Sequence, residues 1–266
     1  MASSAFSPFP PPRGFGHAEI IPPAEEVGEM IRKWTKTGDN EENKLIFYLA
    51  TPDHIAALKK VPVRLAYFGV DQSGLLFVRK VGPEPDRVHR DIAHRLNTLQ
   101  SQMGLERVFW DASCTRIRTR SASSSECKVC DASLSDYPPF RARTFPTLVV
   151  EAGYDTASEP LRSIKDWWFS NTPSGTGVNI VLLVRVVLAS RELQLELWYR
   201  DGVVPASIVT VFPTAALVPD WVATGRMIIP FESVALRSKK EHESDFVLGQ
   251  LALASVAASV FLDTAV

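Results

Sequence analysis

Two acids carry the clearest chemical signal in this chain. Asp131 closes the run Cys127-Lys-Val-Cys-Asp, and Glu151 stands inside Thr147-Leu-Val-Val-Glu-Ala-Gly. An ionised carboxylate within an apolar strand is costly unless something pairs with it. A divalent cation is one such partner, since Mg²⁺ takes one or two carboxylates together with waters and phosphate oxygens. A cation held in this way polarises a phosphoryl oxygen and lowers the pKa of an attacking water, which is the chemistry of phosphodiester hydrolysis. It needs two carboxylates on neighbouring strands that open to one face. The same residues also have a plain structural use. Glu151 can be satisfied by an arginine or by backbone N–H groups, and Asp131 can end a strand and cap a turn.

Other reactive types are sparse. Cys127-Lys-Val-Cys130 is a lone CxxC, and with Cys114 it makes three cysteines in all. That number suits neither a disulfide framework nor a four-ligand zinc site. His89 and His94 lie five apart, off the i, i+4 spacing of helical zinc ligands. Gly153, Gly175 and Gly177 fit no phosphate-binding loop or dinucleotide fingerprint, and no nucleophile-elbow or catalytic-cysteine signature is present. The formal net charge is −1, from 29 basic and 30 acidic residues. Nucleic-acid binding must therefore rest on local patches such as Arg116, Arg118 and Arg120, with Arg141 and Arg143 nearby; the alternative for these arginines is solvated surface.

The elements that must position the acids follow from periodicity. Residues 147–152 read as a buried strand, 156–170 as a helix with Leu161, Ile164, Trp167 and Trp168 inward, 178–188 as a central strand, and 191–199 as a half-exposed strand. Residues 127–131 read as a short strand and 132–146 as a proline-containing loop. Residues 85–103 form a long helix with Val88, Ile92, Leu96, Leu99 and Met103 on one face, closed by Gly104. Strand–helix–strand spacing implies a parallel crossover in a mixed sheet flanked by helices, an α/β fold.

Three segments make up the chain: a disordered Pro-rich tail over 1–19, a small α+β lead-in over 20–82, and a core domain over 83–266. The lead-in holds a helix at 25–34, a strand at 44–50 and a hairpin over 63–81 turning at Asp71-Gln-Ser-Gly74. The apolar stretch 246–262 is read as one buried helix, with a tail anchor as the alternative, because Gln250, Ser255 and Ser259 interrupt it. The N-terminus has no apolar signal region, so an intracellular protein, cytoplasmic or nuclear, is expected.

Asp131, the loop after it, Phe145-Pro-Thr-Leu-Val-Val-Glu-Ala-Gly and Leu161-Arg-Ser-Ile-Lys-Asp-Trp-Trp168 together resemble the restriction-endonuclease-like PD-(D/E)XK superfamily, and within it a family of uncharacterised fungal proteins. The resemblance covers residues 86–200, with weaker similarity through the C-terminal helix. It implies a restriction-endonuclease-like core with Asp131 and Glu151 as catalytic and metal-binding acids, Mg²⁺ as cofactor and nucleic acid as partner. The chain departs from the pattern at the E-x-K lysine, where it has Gly153. Some members place that lysine on the following helix, where Lys165 stands. Members often carry an acid on the first helix, for which Glu84, Asp86, His89 and Asp91 are the candidates.

Three functions follow: a metal-dependent nuclease using Asp131, Glu151 and Lys165, a catalytically inactive member serving as a binding or scaffold module, or a pocket for a small molecule on a reused fold. Nothing in the residues fixes an oligomeric state.

Overall fold

The computed structural model describes residues 19–20, 23–36, 44–48, 53–54, 57, 65–70, 75–80, 83–105, 109–111, 116–118, 127–129, 132–136, 145–154, 158–172, 174–175, 177–214 and 220–262. The Pro-rich tail to residue 18 and Asp131 fall outside these residues, as do Arg120, Arg141 and Arg143.

The lead-in contributes a small sheet of four strands in the order β1-β2-β4-β3: β1 (Glu19–Ile20), β2 (Lys44–Tyr48), β3 (Leu65–Val70) and β4 (Leu75–Lys80). Helix α1 (Ala24–Lys36) buries Val27 and Ile31, four apart on one face. The hairpin expected around residues 71–74 is present as the antiparallel pair β3–β4.

Helix α2 (Pro83–Gln102) introduces the larger layer. Strands β5 (Phe109–Asp111), β8 (Ala132–Asp136), β9 (Leu148–Tyr154), β10 (Ile180–Val187), β11 (Glu192–Tyr199), β12 (Ser207–Pro213) and β13 (Trp221–Ala223) form a seven-stranded sheet in the order β13-β12-β11-β10-β9-β8-β5. Strands β9 and β10 run parallel and are joined by helix α3 (Ser158–Asn171), and the other neighbours in the sheet are antiparallel. This is the expected mixed α/β sheet with its helical crossover.

Two expectations change. The stretch over 132–146, read as a loop, contains β8, which pairs with β9 as Ala132↔Val150, Ser133↔Val149 and Leu134↔Leu148. Its sequence, Ala-Ser-Leu-Ser-Asp, has only Leu134 as a large apolar residue, too little to signal a strand. The earlier segment, β7 (Cys127–Val129), pairs with β6 (Arg116–Arg118) in a separate two-stranded sheet.

The apolar C-terminal stretch is also two elements. Strand β15 (Phe246–Leu248) pairs with β14 (Met227–Ile229), and helix α5 (Gln250–Leu262) follows after Gly249. A continuous apolar run hides such a boundary, because buried strands and buried helices are both apolar all round. No described helix is long and apolar enough to cross a membrane.

The sheet separates two hydrophobic layers. On one side Val88, Ile92 and Leu96 of α2 meet Leu148, Val150 and Ala152 of β9, with Leu253, Val256, Ala257 and Val260 of α5 completing the layer. The polar residues of α5 seat on α2: Arg87 donates to the Ser259 carbonyl at 2.7 Å, Arg95 to Ser255 Oγ at 2.9 Å, and the Ser259 hydroxyl to Asp91. Ser255 and Ser259 therefore mark a helix–helix seam. On the other side Leu161, Ile164, Trp167 and Trp168 of α3 cover Val149, Val181, Leu183 and Trp198.

Arg200 ties off α3. Its guanidinium donates to the carbonyls of Phe169, Thr172 (3.0 Å) and Val178 (2.9 Å), so a cation meets the carbonyl-rich C-terminal end of the helix. A second clip holds the short helix α4 (Phe231–Ala235). Asp245 accepts the Phe231 N–H at 2.9 Å, and Arg237 forks onto Glu243 through two bonds of 2.6 Å.

Candidate functional site

Strand β9 has both faces covered, which explains its near-continuous apolar sequence. Side chains alternate along it. Leu148, Val150 and Ala152 point to the α2 side, so Val149 and Glu151 belong to the α3 side. There Glu151 is wholly buried, with 0 % exposure, and its Oε1 accepts the indole N–H of Trp168 at 2.7 Å. Trp168 is itself 0 % exposed and packs edge-on against Trp167, ring centres 5.1 Å apart. The expected strand carboxylate thus lies beneath a helix, bonded to a tryptophan of that helix.

Lys165 rides on the flank of α3. Its Nζ sits 4.2 Å from the centre of the Trp198 ring and 2.5 Å from Asp166, with the side chain 12 % exposed. Trp198 belongs to β11, and β10 lies between β11 and the strand of Glu151. The contacts of the two residues therefore diverge: Glu151 inward to Trp168, Lys165 sideways to Trp198. Asp131 lies outside the described residues. Its successor Ala132 opens β8 and pairs with Val150, the residue before Glu151.

The acids and histidine considered on the first helix stand on the other side of the sheet. Glu84 accepts the Tyr154 hydroxyl at 2.5 Å, and Tyr154 packs on the α2 layer. Burial, then the hydrogen bond to Glu84, pushes the Tyr154 phenol well above its ordinary value. Asp86 lies 3.9 Å from buried His89 and 3.1 Å from Arg90, and Asp91 receives Ser259. None of these residues shares the face of Glu151.

Among the described residues, no group of three or more His, Cys, Asp or Glu side chains gathers at Glu151 to hold Mg²⁺. Magnesium holds near-octahedral ligands at about 2.1 Å and keeps several waters. Among the described residues, the Glu151 carboxylate lies on the face of Val149 and Leu183 and meets the Trp168 indole.

Strand register aligns a second set of polar groups on this same face, which the sequence reading did not single out. Glu151, Leu183, Glu196 and Ile208 form one row across β9 to β12, and Gly153, Arg185, Gln194 and Thr210 form the next. The cross-strand neighbour of Gly153 is therefore a cation on β10. Glu196 accepts Arg162 of α3 (2.9 and 3.3 Å) and the Trp198 indole (2.9 Å), while Arg185 donates to Gln194. Leu161, Leu183, Arg185, Gln194 and Glu196 line a depression open to solvent between helix and sheet. The signal available in the sequence was Arg185 itself, the charge that interrupts Val-Asn-Ile-Val-Leu-Leu-Val-Arg-Val-Val-Leu.

No protein-family model matches the chain, and no curated protein matches it. Among solved structures it is similar to one described as "a putative nuclease belonging to DUF820 from Anabaena variabilis", at a TM-score of 0.42 and 9% identity, over 76% of this chain and 98% of that one.

Proposed function

We propose that this chain is a nuclease-type α/β domain that serves as a binding module and does not hydrolyse phosphodiesters through Glu151. The supporting observation is the 2.7 Å bond from the Trp168 indole to the fully buried Glu151 carboxylate. That carboxylate pins α3 to the sheet. A catalytic acid would have to open to solvent, substrate and cation at once.

The experiment is Mg²⁺- and Mn²⁺-dependent cleavage of single- and double-stranded DNA and RNA by the wild type, Asp131→Ala and Glu151→Gln, alongside their unfolding free energies. The expected outcome is no metal-dependent cleavage by any of them and a loss of about 1–3 kcal/mol of stability in Glu151→Gln, through a weakened buried bond to Trp168. Cleavage by the wild type that Glu151→Gln abolishes while remaining folded overturns the reading.

A second reading keeps the metal-dependent nuclease, with Asp131 and Glu151 holding Mg²⁺ and Lys165 taking the lysine role. The pairing of Ala132 with Val150 supports it, because it brings the sequence neighbours of the two acids into register. The same assay decides between the two.

A further inference from the structure

We propose that the outer edge of β13 is shaped to pair with the same edge of a second copy of this chain, and that Gln250 holds that edge shut. The proposal stands apart from the role of Glu151.

Strand β13 ends the seven-stranded sheet, with β12 on its inner side. The Thr214 N–H donates to the Asp220 carbonyl at 2.7 Å, and the Thr224 N–H to the Thr210 carbonyl at 2.9 Å. Backbone groups alternate in direction along a strand. Asp220 and Thr224 turn towards β12, and Val222 between them does the same, so Trp221 and Ala223 direct their N–H and C=O groups to the outer edge. A row of such groups is a template for another strand. Among the described residues, Gln250 meets this edge. It opens α5, and its Nε2 donates to the Ala223 carbonyl at 3.3 Å. That bond is independent evidence that the Ala223 carbonyl faces outward.

The edge is complementary to itself. Two β13 strands related by a two-fold axis at Val222 run antiparallel, which sets Trp221 of each copy opposite Ala223 of the other. These are the residues whose backbone groups point outward, and each such pair can exchange both of its N–H···O bonds. Val222 then faces Val222 of the second copy in a non-hydrogen-bonded pair, with Cα atoms about 4.5 Å apart and side chains in contact. Val222 is 43% exposed, and its cross-strand neighbour Phe212 is 36% exposed, so apolar surface is available for burial beside the axis. The charges agree with this arrangement. Exposed Asp220 and exposed Arg226 lie on opposite sides of Val222, so antiparallel pairing brings Asp220 of one copy towards Arg226 of the other. A two-fold contact of this kind uses one patch twice and closes as a dimer. Gln250 opposes it by occupying the Ala223 carbonyl that each copy must offer.

The test is sedimentation equilibrium of the full chain over a concentration series, for the wild type, Gln250→Ala and the double variant Gln250→Ala with Val222→Lys. Gln250 is exposed and alanine favours helix, so circular dichroism should show all three folded. The expected result is a monomeric wild type and a reversible dimer in Gln250→Ala. Self-association should strengthen about tenfold or more, because each copy loses one competing hydrogen bond. Amide hydrogen exchange at Trp221 and Ala223 should slow as the dimer forms. Val222→Lys puts a charge at the axis and should return the monomer. Equal self-association of the wild type and Gln250→Ala, whether both are monomers or both dimers, overturns the proposal. So does a dimer that survives Val222→Lys or leaves exchange at Trp221 and Ala223 unchanged.

Discussion

The two sides of the seven-stranded sheet solve the same packing problem with different chemistry. The α2–α5 side is largely apolar: aliphatic and aromatic side chains fill it, and a polar seam, where Arg87, Asp91 and Arg95 meet Ser255 and Ser259, joins its two helices. The α3 side places carboxylates against tryptophans, Glu151 with Trp168 in the core and Glu196 with Trp198 at the rim. A purely apolar layer resists perturbation in proportion to the volume removed. A layer with a buried carboxylate adds the cost of leaving that group poorly partnered. The difference teaches that an acid in a strand can fasten a helix to the sheet, as Glu151 does through Trp168.

The largest effects should come from breaking the fastener. Trp168→Ala is expected to cost about 3–5 kcal/mol by chemical denaturation, as for a buried aromatic truncation. Leu96→Ala on the other side should cost about 2–5 kcal/mol through cavity formation alone. The contrast sharpens with Trp168→Phe, which keeps a ring but removes the N–H. It should lose about 1–3 kcal/mol, and pairing it with Glu151→Leu should restore part of that loss, since two apolar partners need no hydrogen bond. Additive losses in that double-mutant cycle would mean the bond contributes nothing.

A smaller effect concerns the clip at α4. The Arg237 fork holds the Glu243 carboxyl at about 2, below its usual 4.5. A depressed folded-state pKa adds stability above the unfolded value, and this stability is lost as pH falls through the folded value. Stability should therefore decline from about pH 4.5 towards pH 2, and Glu243→Gln should flatten that slope in acid-unfolding curves. The smallest change is expected for Ser255→Ala, at most about 0.5–1.5 kcal/mol, because its bond to Arg95 lies at an exposed rim.

Residues whose neighbours are close in sequence were the legible ones. The elements now bounded as Leu148–Tyr154, Ser158–Asn171, Ile180–Val187 and Glu192–Tyr199 follow the expected apolar periods within a few residues. Leu161, Ile164 and Trp168 face inward as their spacing requires. Strand β8 was not legible, because its pairing with β9 supplies what its composition lacks. The division at Gly249 was hidden for the related reason that Phe246–Leu248 owes its extended form to Met227–Ile229. Glu151 was visible as an anomaly, but its partner lies 17 residues away on a helix already assigned to packing. Arg185 gained meaning only through register, which alone brings it beside Gly153 and opposite Gln194.

The seam between α2 and α5 also has a consequence in time. Arg87 and Ser259 are 172 residues apart, and Asp91 and Ser259 are 168 apart. The α3 layer draws on residues 145–198, a local stretch that can close as soon as it is made. The opposite layer cannot close fully until residues 250–262 have been synthesised, so the part of that sheet face not covered by α2 waits during translation. Contacts at such separation slow folding, and an apolar sheet face left waiting is where a nascent chain is most exposed to aggregation. Weakening the Arg87–Asp91–Arg95 seam should therefore lower the yield of folded protein more than the stability of what has already folded.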